Sequence, residues 1–182
     1  AASKAAGDLL INSYVHTYRL PIITSHSVNN FGPRQFPEKL IPFFTLRALS
    51  NQKLPLYGDG QNVRDWLYVD DHTTAILTLL EKSEPGEVFA ISGGNEHSNL
   101  EIATKILNIL KKPPNLIDFI TDRPGHDRRY SVDSSKLRRF GWKPRYSLDD
   151  RLQYTLKWYQ ENQPWMQGVL KRKNTINTHI KN

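Results

Sequence analysis

Segments with a helical apolar repeat alternate along this 182-residue chain with short apolar runs bounded by glycine, proline and asparagine, and no other feature restricts its fold so tightly. The stretch from Ala1 to Leu20 starts in good helix formers and sets Leu9, Leu10, Tyr14 and Tyr18 at helical spacing. It opens inside a helix with no start signal, so an upstream region is expected to precede it. Pro21 to Ser25 reads as a short buried strand that passes into the polar loop Ser27 to Pro33, the kind of step at which open α/β sheets bind ligands. Lys39 to Leu49 predicts a helix apolar almost all round, with Pro42 tolerable only in its first turn. Leu54 to Tyr57 and Trp66 to Val69 predict strands on either side of the turn residues Gly58 to Asn62. Asp70-Asp71 is expected to cap a helix carrying Ala75, Ile76, Leu79 and Leu80.

A strand follows over Val88 to Ile91. Ser98 and Glu101 form a capping box before a helix that Pro113-Pro114 stops. Leu116 to Ile120 is a further strand, Ser134 and Gly141 bracket a short helix, and Ser147 starts one with Leu148, Leu152, Leu156 and Tyr159 on one stripe. The order α-β-α-β-β-α-β-α-β-α-α is an α/β plan without internal repeats. Its length and its hydrophobic content of 38% predict one domain over 1–167, followed by a basic flexible tail over 168–182.

Between the last strand and the short helix lies Asp122-Arg123-Pro124-Gly125-His126-Asp127-Arg128-Arg129-Tyr130. Pro124 fixes φ and Gly125 tolerates positive φ, so a stiff corner can aim Arg123, His126, Arg128 and Arg129 at one spot. A guanidinium matches two phosphate oxygens at once, which points to an anionic, phosphate-bearing ligand. The competing reading is a solvated turn whose cations pair with Asp127 and Asp133.

Composition narrows the classes. With 25 Lys+Arg against 18 Asp+Glu the formal net charge is +7, which favours anionic partners. The excess sits in Arg123 to Arg145 and in Lys171-Arg172-Lys173 with Lys181 rather than along one helix face, and no nucleic-acid-binding signature accompanies it, so nucleic acid is not the expected partner. The sequence contains no cysteine, which removes disulfides and thiolate chemistry. The histidines at 16, 26, 72, 97, 126 and 179 show no metal spacing. No apolar run reaches the length of a membrane span and no signal-peptide layout is present, so a cytoplasmic protein is expected.

Several motifs together resemble the C-terminal half of the dTDP-glucose 4,6-dehydratases, which are extended short-chain dehydrogenases/reductases. They are Ala1-Ala2-Ser3-Lys4, Ser27 to Pro33, Phe36-Pro37-Glu38-Lys39-Leu40-Ile41-Pro42, Arg64-Asp65-Trp66-Leu67-Tyr68-Val69-Asp70-Asp71-His72 and Asp122 to Tyr130. The resemblance runs to about Glu161. It implies an α/β fold made of the last strands and helices of a Rossmann-type nucleotide-binding sheet plus a small substrate-binding α/β domain. It also implies a homodimer in the intact enzyme, NAD as cofactor and dTDP-glucose as substrate. In the implied reaction a hydride leaves C4 of the sugar, water is eliminated across C5 and C6, and the hydride returns to C6.

Position by position, the resemblance makes Lys4 the lysine of the family's Tyr-x-x-x-Lys motif, where its charge would lower the tyrosine pKa and its ammonium would bind the nicotinamide ribose. That tyrosine would lie immediately before Ala1. The Gly-rich dinucleotide loop and the family's Thr-Asp-Glu trio are also missing from the 182 residues, so the chain by itself is expected to be inactive. Asn30 would contact the cofactor. Asn29, Lys39, Leu40, Pro55, Leu56, Tyr57, Arg64 and Asn99, with the turn residues Asp122, Arg123, Pro124, Gly125 and His126, would contact the sugar nucleotide; no metal is implied.

Read without the resemblance, Tyr57 is a packed strand residue, Lys39 a helix-start charge and Asn29-Asn30 a loop. Trp66, Tyr68 and Trp142 read as core, and Asp65 with Asp70-Asp71 as caps or ion-pair partners rather than catalytic acids. Two alternatives stay open. One is an NAD-dependent dehydratase, epimerase or decarboxylase acting on a UDP sugar, since thymine and uracil differ by one methyl worth about 1 kcal/mol. The other is a non-catalytic nucleotide-sugar-binding module.

Overall fold

The computed structural model describes residues 2–177, with side chains described to Lys171. The chain forms two compact units, Ala1–Asn30, Asp65–Asn95 and Tyr130–Tyr146 in the first, and Phe31–Arg64, Glu96–Arg129 and Ser147–Asn182 in the second. The chain crosses from one unit to the other within β2 (Asn29–Phe31), β4 (Val63–Tyr68) and β8 (Arg129–Tyr130), among other points.

The first unit is built on a parallel pair, β1 (Thr24–Ser27) and β5 (Val88–Ile91), in the register Thr24↔Val88 to Ser27↔Ile91. Val28, Leu67, Phe89, Ile91, Trp142 and Leu137 form its core with Ala75 and Leu79, the inward face of α3 (Val69–Lys82). Trp66 and Tyr68 are also buried. Helix α1 (Ala2–Tyr18) buries no residue fully. Its half-buried positions Gly7, Asp8, Ile11 and Val15 lie on one face, while Leu9, Leu10, Tyr14 and Tyr18 are all exposed, Leu9 to 72%. The apolar stripe legible in the sequence is therefore the outward one.

Several local expectations change. The strand expected from Pro21 starts at Thr24: Pro21 has no N–H to give, and the Ile22 N–H turns back to the Leu20 carbonyl at 2.9 Å. Asn29 and Asn30, expected in a loop, lie in β2. Asp70 and Asp71 do not cap α3, whose N-cap is Tyr68. The buried Asp71 carboxylate instead accepts from the backbone N–H groups of Arg145 at 2.9 Å and Tyr146 at 3.4 Å. Asp65 is buried too, accepting from Ser92 Oγ at 2.5 Å and the Asn95 N–H at 2.9 Å, which makes it a tie for the chain after β5 rather than a cap.

The second unit has its own parallel pair, β3 (Leu54–Tyr57) and β7 (Ile117–Ile120), in register Leu54↔Ile117 to Tyr57↔Ile120. Helix α2 (Leu40–Leu49) packs against β3, α4 (Asn99–Ile109) and α6 (Leu148–Glu161), which is why it is apolar on more than one side; Pro42 sits in its first turn. The capping box of α4 is complete, with Ser98 Oγ accepting from the Glu101 N–H at 3.1 Å and the Glu101 carboxylate accepting from the Ser98 N–H at 2.6 Å. Tyr159, fully buried in α6, donates to the carbonyls of Gly32 at 3.1 Å or Gln35 at 3.0 Å and so holds the segment ahead of α2. Short strand β6 (Glu96–Ser98) and α5 (Ser135–Arg139) complete the elements before α7 (Gln163–Asn177). Residues 168–177 of the stretch expected as a tail lie in helix α7. No proline follows Gln167, and buried Met166 with Trp165, edge-on to Trp158 at 5.1 Å, anchors the helix on the unit. Residues 178–182 of that tail, and Ala1, lie outside the described residues. Among the described residues no helix is long and apolar enough to cross a membrane.

Candidate functional site

The second unit contains a cavity of about 490 Å³. Helix α2 supplies Leu40, Phe43 and Phe44 to it, and the segment before that helix supplies Phe36, Pro37 and Glu38. Strand β3 adds Pro55, Leu56 and Tyr57. Asn99 comes from the first residue of α4 and Leu170 from α7. The wall is mostly apolar with one aromatic ring 43% exposed, that of Tyr57, and one amide, Asn99, whose buried Oδ1 has no hydrogen-bond partner among the described residues. A mostly apolar cavity with an exposed aromatic ring and an unsatisfied amide suits a planar, hydrogen-bonding heterocycle.

The loop after β7 is joined to this wall. Tyr57 and His126 meet edge to face at 6.0 Å, and the Gly58 N–H donates to the Ile120 carbonyl at 2.8 Å. At the Pro124-Gly125 corner, Gly125 has φ +65°, the positive value the turn requires. His126 is not free to swing: its side chain is only 7% exposed and its Nδ1 lies 2.7 Å from Asp122 Oδ1, a contact that holds the Asp122 carboxyl below its ordinary pKa with help from the Arg123 N–H. Asn62 Nδ2 and Arg64 Nη2 both donate to the Asp127 carbonyl, at 3.3 and 2.9 Å, and the Val63 N–H donates to the Arg128 carbonyl at 2.8 Å, clamping the loop to β4.

The cations of this loop divide into two kinds. Arg128 donates through Nη1 to both oxygens of Asp59 at 2.7 and 3.0 Å, and Arg129 is bidentate on Glu96 through Nε and Nη2, at 2.7 Å each. The expectation that all four basic residues aim at one spot is therefore corrected, because two of them are spent on carboxylates that the sequence places far away. Asp133, a suggested partner, accepts instead from Ser135 N and Oγ. Arg64 and Arg123 remain: among the described residues neither has a carboxylate within ion-pair distance. Burial pushes the Arg64 guanidinium below its ordinary pKa, Asp127 opposes, and the charge of Arg123 adds to the lowering. Two like charges that feel one another, one of them partly desolvated, are poised for an anion.

Of the remaining residues singled out in the sequence, Lys39 is exposed and 3.1 Å from Glu38. Lys4 is exposed in the first turn of α1, Asn29 is half-buried, and Asn30 donates to Ser27 Oγ at 3.2 Å; these three belong to the first unit. Sequence reasoning missed Phe36, Pro37, Glu38, Phe43, Phe44 and Leu170 as cavity residues. Phe36 to Glu38 adjoin Lys39 in a quoted motif and could have been found, whereas Phe43 and Phe44 look like ordinary helix core and Leu170 falls in the supposed tail. Among the described residues no three His, Asp or Glu side chains gather to hold a metal.

Residues 1–155 match the family model described as GDP-mannose 4,6 dehydratase. The chain belongs to that family. Among curated proteins it is 46% identical over 180 residues to the dTDP-glucose 4,6-dehydratase of Xanthomonas campestris pv. campestris strain B100, covering 93% of this chain and 51% of that protein. Among solved structures, the dTDP-glucose 4,6-dehydratase of Bacillus anthracis in complex with NAD superposes with TM-score 0.88 at 46% identity, covering 92% of this chain and 54% of that one. DesIV, a dTDP-glucose 4,6-dehydratase from Streptomyces venezuelae with NAD and TYD bound, superposes with TM-score 0.90 at 42% identity, covering 92% and 52%. The α/β fold with its parallel strand pairs is thus that of an extended short-chain dehydrogenase/reductase, and the chain spans about half the length of the relatives it matches.

Proposed function

We propose that this chain is the sugar-nucleotide-binding half of an NAD-dependent dTDP-glucose 4,6-dehydratase, a cytoplasmic hydro-lyase. The observation that carries the reading is the gathering of Leu40, Pro55, Leu56, Tyr57 and Asn99 around one cavity, residues that the resemblance assigns to the sugar nucleotide independently of any geometry. Tyr57 covers the base, the Asn99 amide fixes it, and Arg64 with Arg123 neutralises the diphosphate. Asp122 and Asp127 hold the loop in place, Asp122 through His126 and Asp127 through its carbonyl. Binding energy gathered here on the nucleotide positions a small sugar for chemistry elsewhere.

The first unit carries the residues that would hold NAD, which when bound supplies a reversible hydride acceptor. Lys4 presents an exposed ammonium with no ion pair among the described residues, and Asn30 presents an amide; both suit ribose hydroxyls and neutral amide groups. The outward stripe of Leu9, Leu10, Tyr14 and Tyr18 fits the helix face through which the intact enzyme would pair with a second copy.

Calorimetric titration with dTDP and with NAD, on a polypeptide in which this chain is joined to a dinucleotide-binding half, tests the reading. Saturable binding that Arg64→Ala weakens strongly, with NAD binding nearly unchanged, is the expected result, and an equal loss for both ligands refutes the assignment. From dTDP-glucose with added NAD the 182-residue chain alone forms no product, because it lacks the tyrosine partner of Lys4; detectable turnover contradicts this.

A further inference from the structure

The turn between β3 and β4, residues 58–62, touches both the cavity and the charged loop, and Asn62 is its one buried polar residue. Two of its carbonyls hold the start of α4: that of Gly60 accepts from the Leu100 N–H at 2.9 Å, and that of Asn62 accepts from the Asn99 N–H at 3.0 Å. The turn also reaches the charged loop through a buried side chain. Asn62, only 2% exposed, donates from Nδ2 to the Asp127 carbonyl at 3.3 Å, the same carbonyl that Arg64 Nη2 reaches at 2.9 Å. One residue therefore joins the cavity amide, Asn99, to the loop that carries Arg123.

The Asn62 amide is only half used. Its Oδ1 is buried and has no hydrogen-bond partner among the described residues. Turning the amide over would set Oδ1 against the Asp127 carbonyl, acceptor facing acceptor, so the donor is the atom the loop requires. A buried acceptor without a partner lowers stability, and an apolar side chain of similar shape would avoid that cost. What the donor holds explains an asparagine at this position better than stability does. We infer that Asn62 is a positioning residue for the diphosphate of the nucleotide, acting by fixing the Asp127 carbonyl and through it the Arg64 guanidinium; the inference rests on the reading that Arg64 and Arg123 bind that diphosphate. Arg64 gives Nη1 to the Val63 carbonyl at 2.7 Å and Nη2 to the Asp127 carbonyl. A second donor on the Asp127 carbonyl steadies the loop without drawing further on the guanidinium, whose other N–H groups are left for phosphate oxygens.

The test is calorimetry with dTDP and NAD on the polypeptide in which this chain is joined to a dinucleotide-binding half, comparing wild type, Asn62→Leu, Arg64→Ala and the double variant. Leucine keeps the outline of asparagine and removes both the donor and the unpaired acceptor. Asn62→Leu is expected to weaken dTDP binding about three- to tenfold, as the loss of one neutral hydrogen bond does, while NAD affinity and the unfolding midpoint hold. In the Arg64→Ala background the same change is expected to cost less than about twofold, because the group it positions is gone. Asn62→Ser, which removes the amide without adding bulk, carries the same comparison where the leucine variant does not fold. An unchanged dTDP affinity in Asn62→Leu, a loss that NAD binding shares, or a loss of equal size with and without Arg64 overturns the role of Asn62 and leaves the nucleotide reading standing. A wild-type protein that does not bind dTDP overturns that reading and this inference with it.

Discussion

Helices α1 and α2 both carry large apolar side chains and end in opposite circumstances. In the second unit the 10-residue α2 buries Ile41, Pro42, Phe44, Thr45 and Ala48 among β3, α4 and α6, and its flank lines the cavity. In the first unit the 17-residue α1 buries no residue fully and presents Leu9, Leu10, Tyr14 and Tyr18 outward. The difference shows that the second unit satisfies its helices from its own core, whereas the first unit carries an apolar face that its own residues do not cover. An apolar helix is thus evidence of burial only when the partner surface lies within the same unit.

The sharpest way to break this comparison is stability. Ile41→Ala is expected to cost about 2–5 kcal/mol in urea unfolding, because it opens a cavity in the core around a fully buried side chain of α2. Leu9→Ser is expected to stay within about 0.5 kcal/mol of wild type. Similar losses for the two would show that α1 is held as firmly as α2.

A second contrast lies within the charged loop. Arg64→Ala is expected to weaken dTDP binding about 10- to 100-fold, as a charge-assisted contact worth roughly 1.5–3 kcal/mol is lost. Arg128→Ala, already neutralised by Asp59, is expected to change it less than about threefold. Calorimetry that ranks Arg128 above Arg64 would reverse the assignment of charges.

The next effect is pH-dependent. The Asp122 pKa is lowered from 3.8, first by the His126 contact, so the folded state binds the proton less readily than the unfolded chain. The resulting stabilisation is fully present above the unfolded value near 3.8 and is lost as pH falls through the lower folded value. Asp122→Asn is therefore expected to flatten the acid limb of a stability profile below about pH 4, and to leave stability near neutrality lower by a constant amount.

Smallest in stability, though visible in solution, is the replacement of Leu9 and Tyr14 by Glu. Sedimentation is expected to show less self-association than wild type with an almost unchanged unfolding midpoint. A wild-type chain that stays monomeric at high concentration removes the support for a pairing face on α1.

Much of this molecule was legible locally. The capping box at Ser98, the Ser147 cap, the first-turn Pro42 and the Pro124-Gly125 corner all follow from residues a few positions apart, and the structure has each of them. Readings failed where a polar residue works at long range. Asp71 looked like a cap because acids favour helix starts, yet it serves the backbone of Arg145 and Tyr146, 74 and 75 residues further on. Leu170 went unnoticed because its cavity partners in β3 and α2 lie more than a hundred positions earlier.

Short-range periodicity and backbone preference were enough for the α/β alternation, the helix ends, the stiff Pro124-Gly125 turn and the set of motifs that fixes the family. Tertiary structure alone decided which charges remain for a ligand. Arg128 and Arg129 read as the equals of Arg64 and Arg123 until folding brings Asp59 and Glu96 to them across 69 and 33 residues of sequence. Charge pairing depends on distance in space, which a linear pattern does not contain.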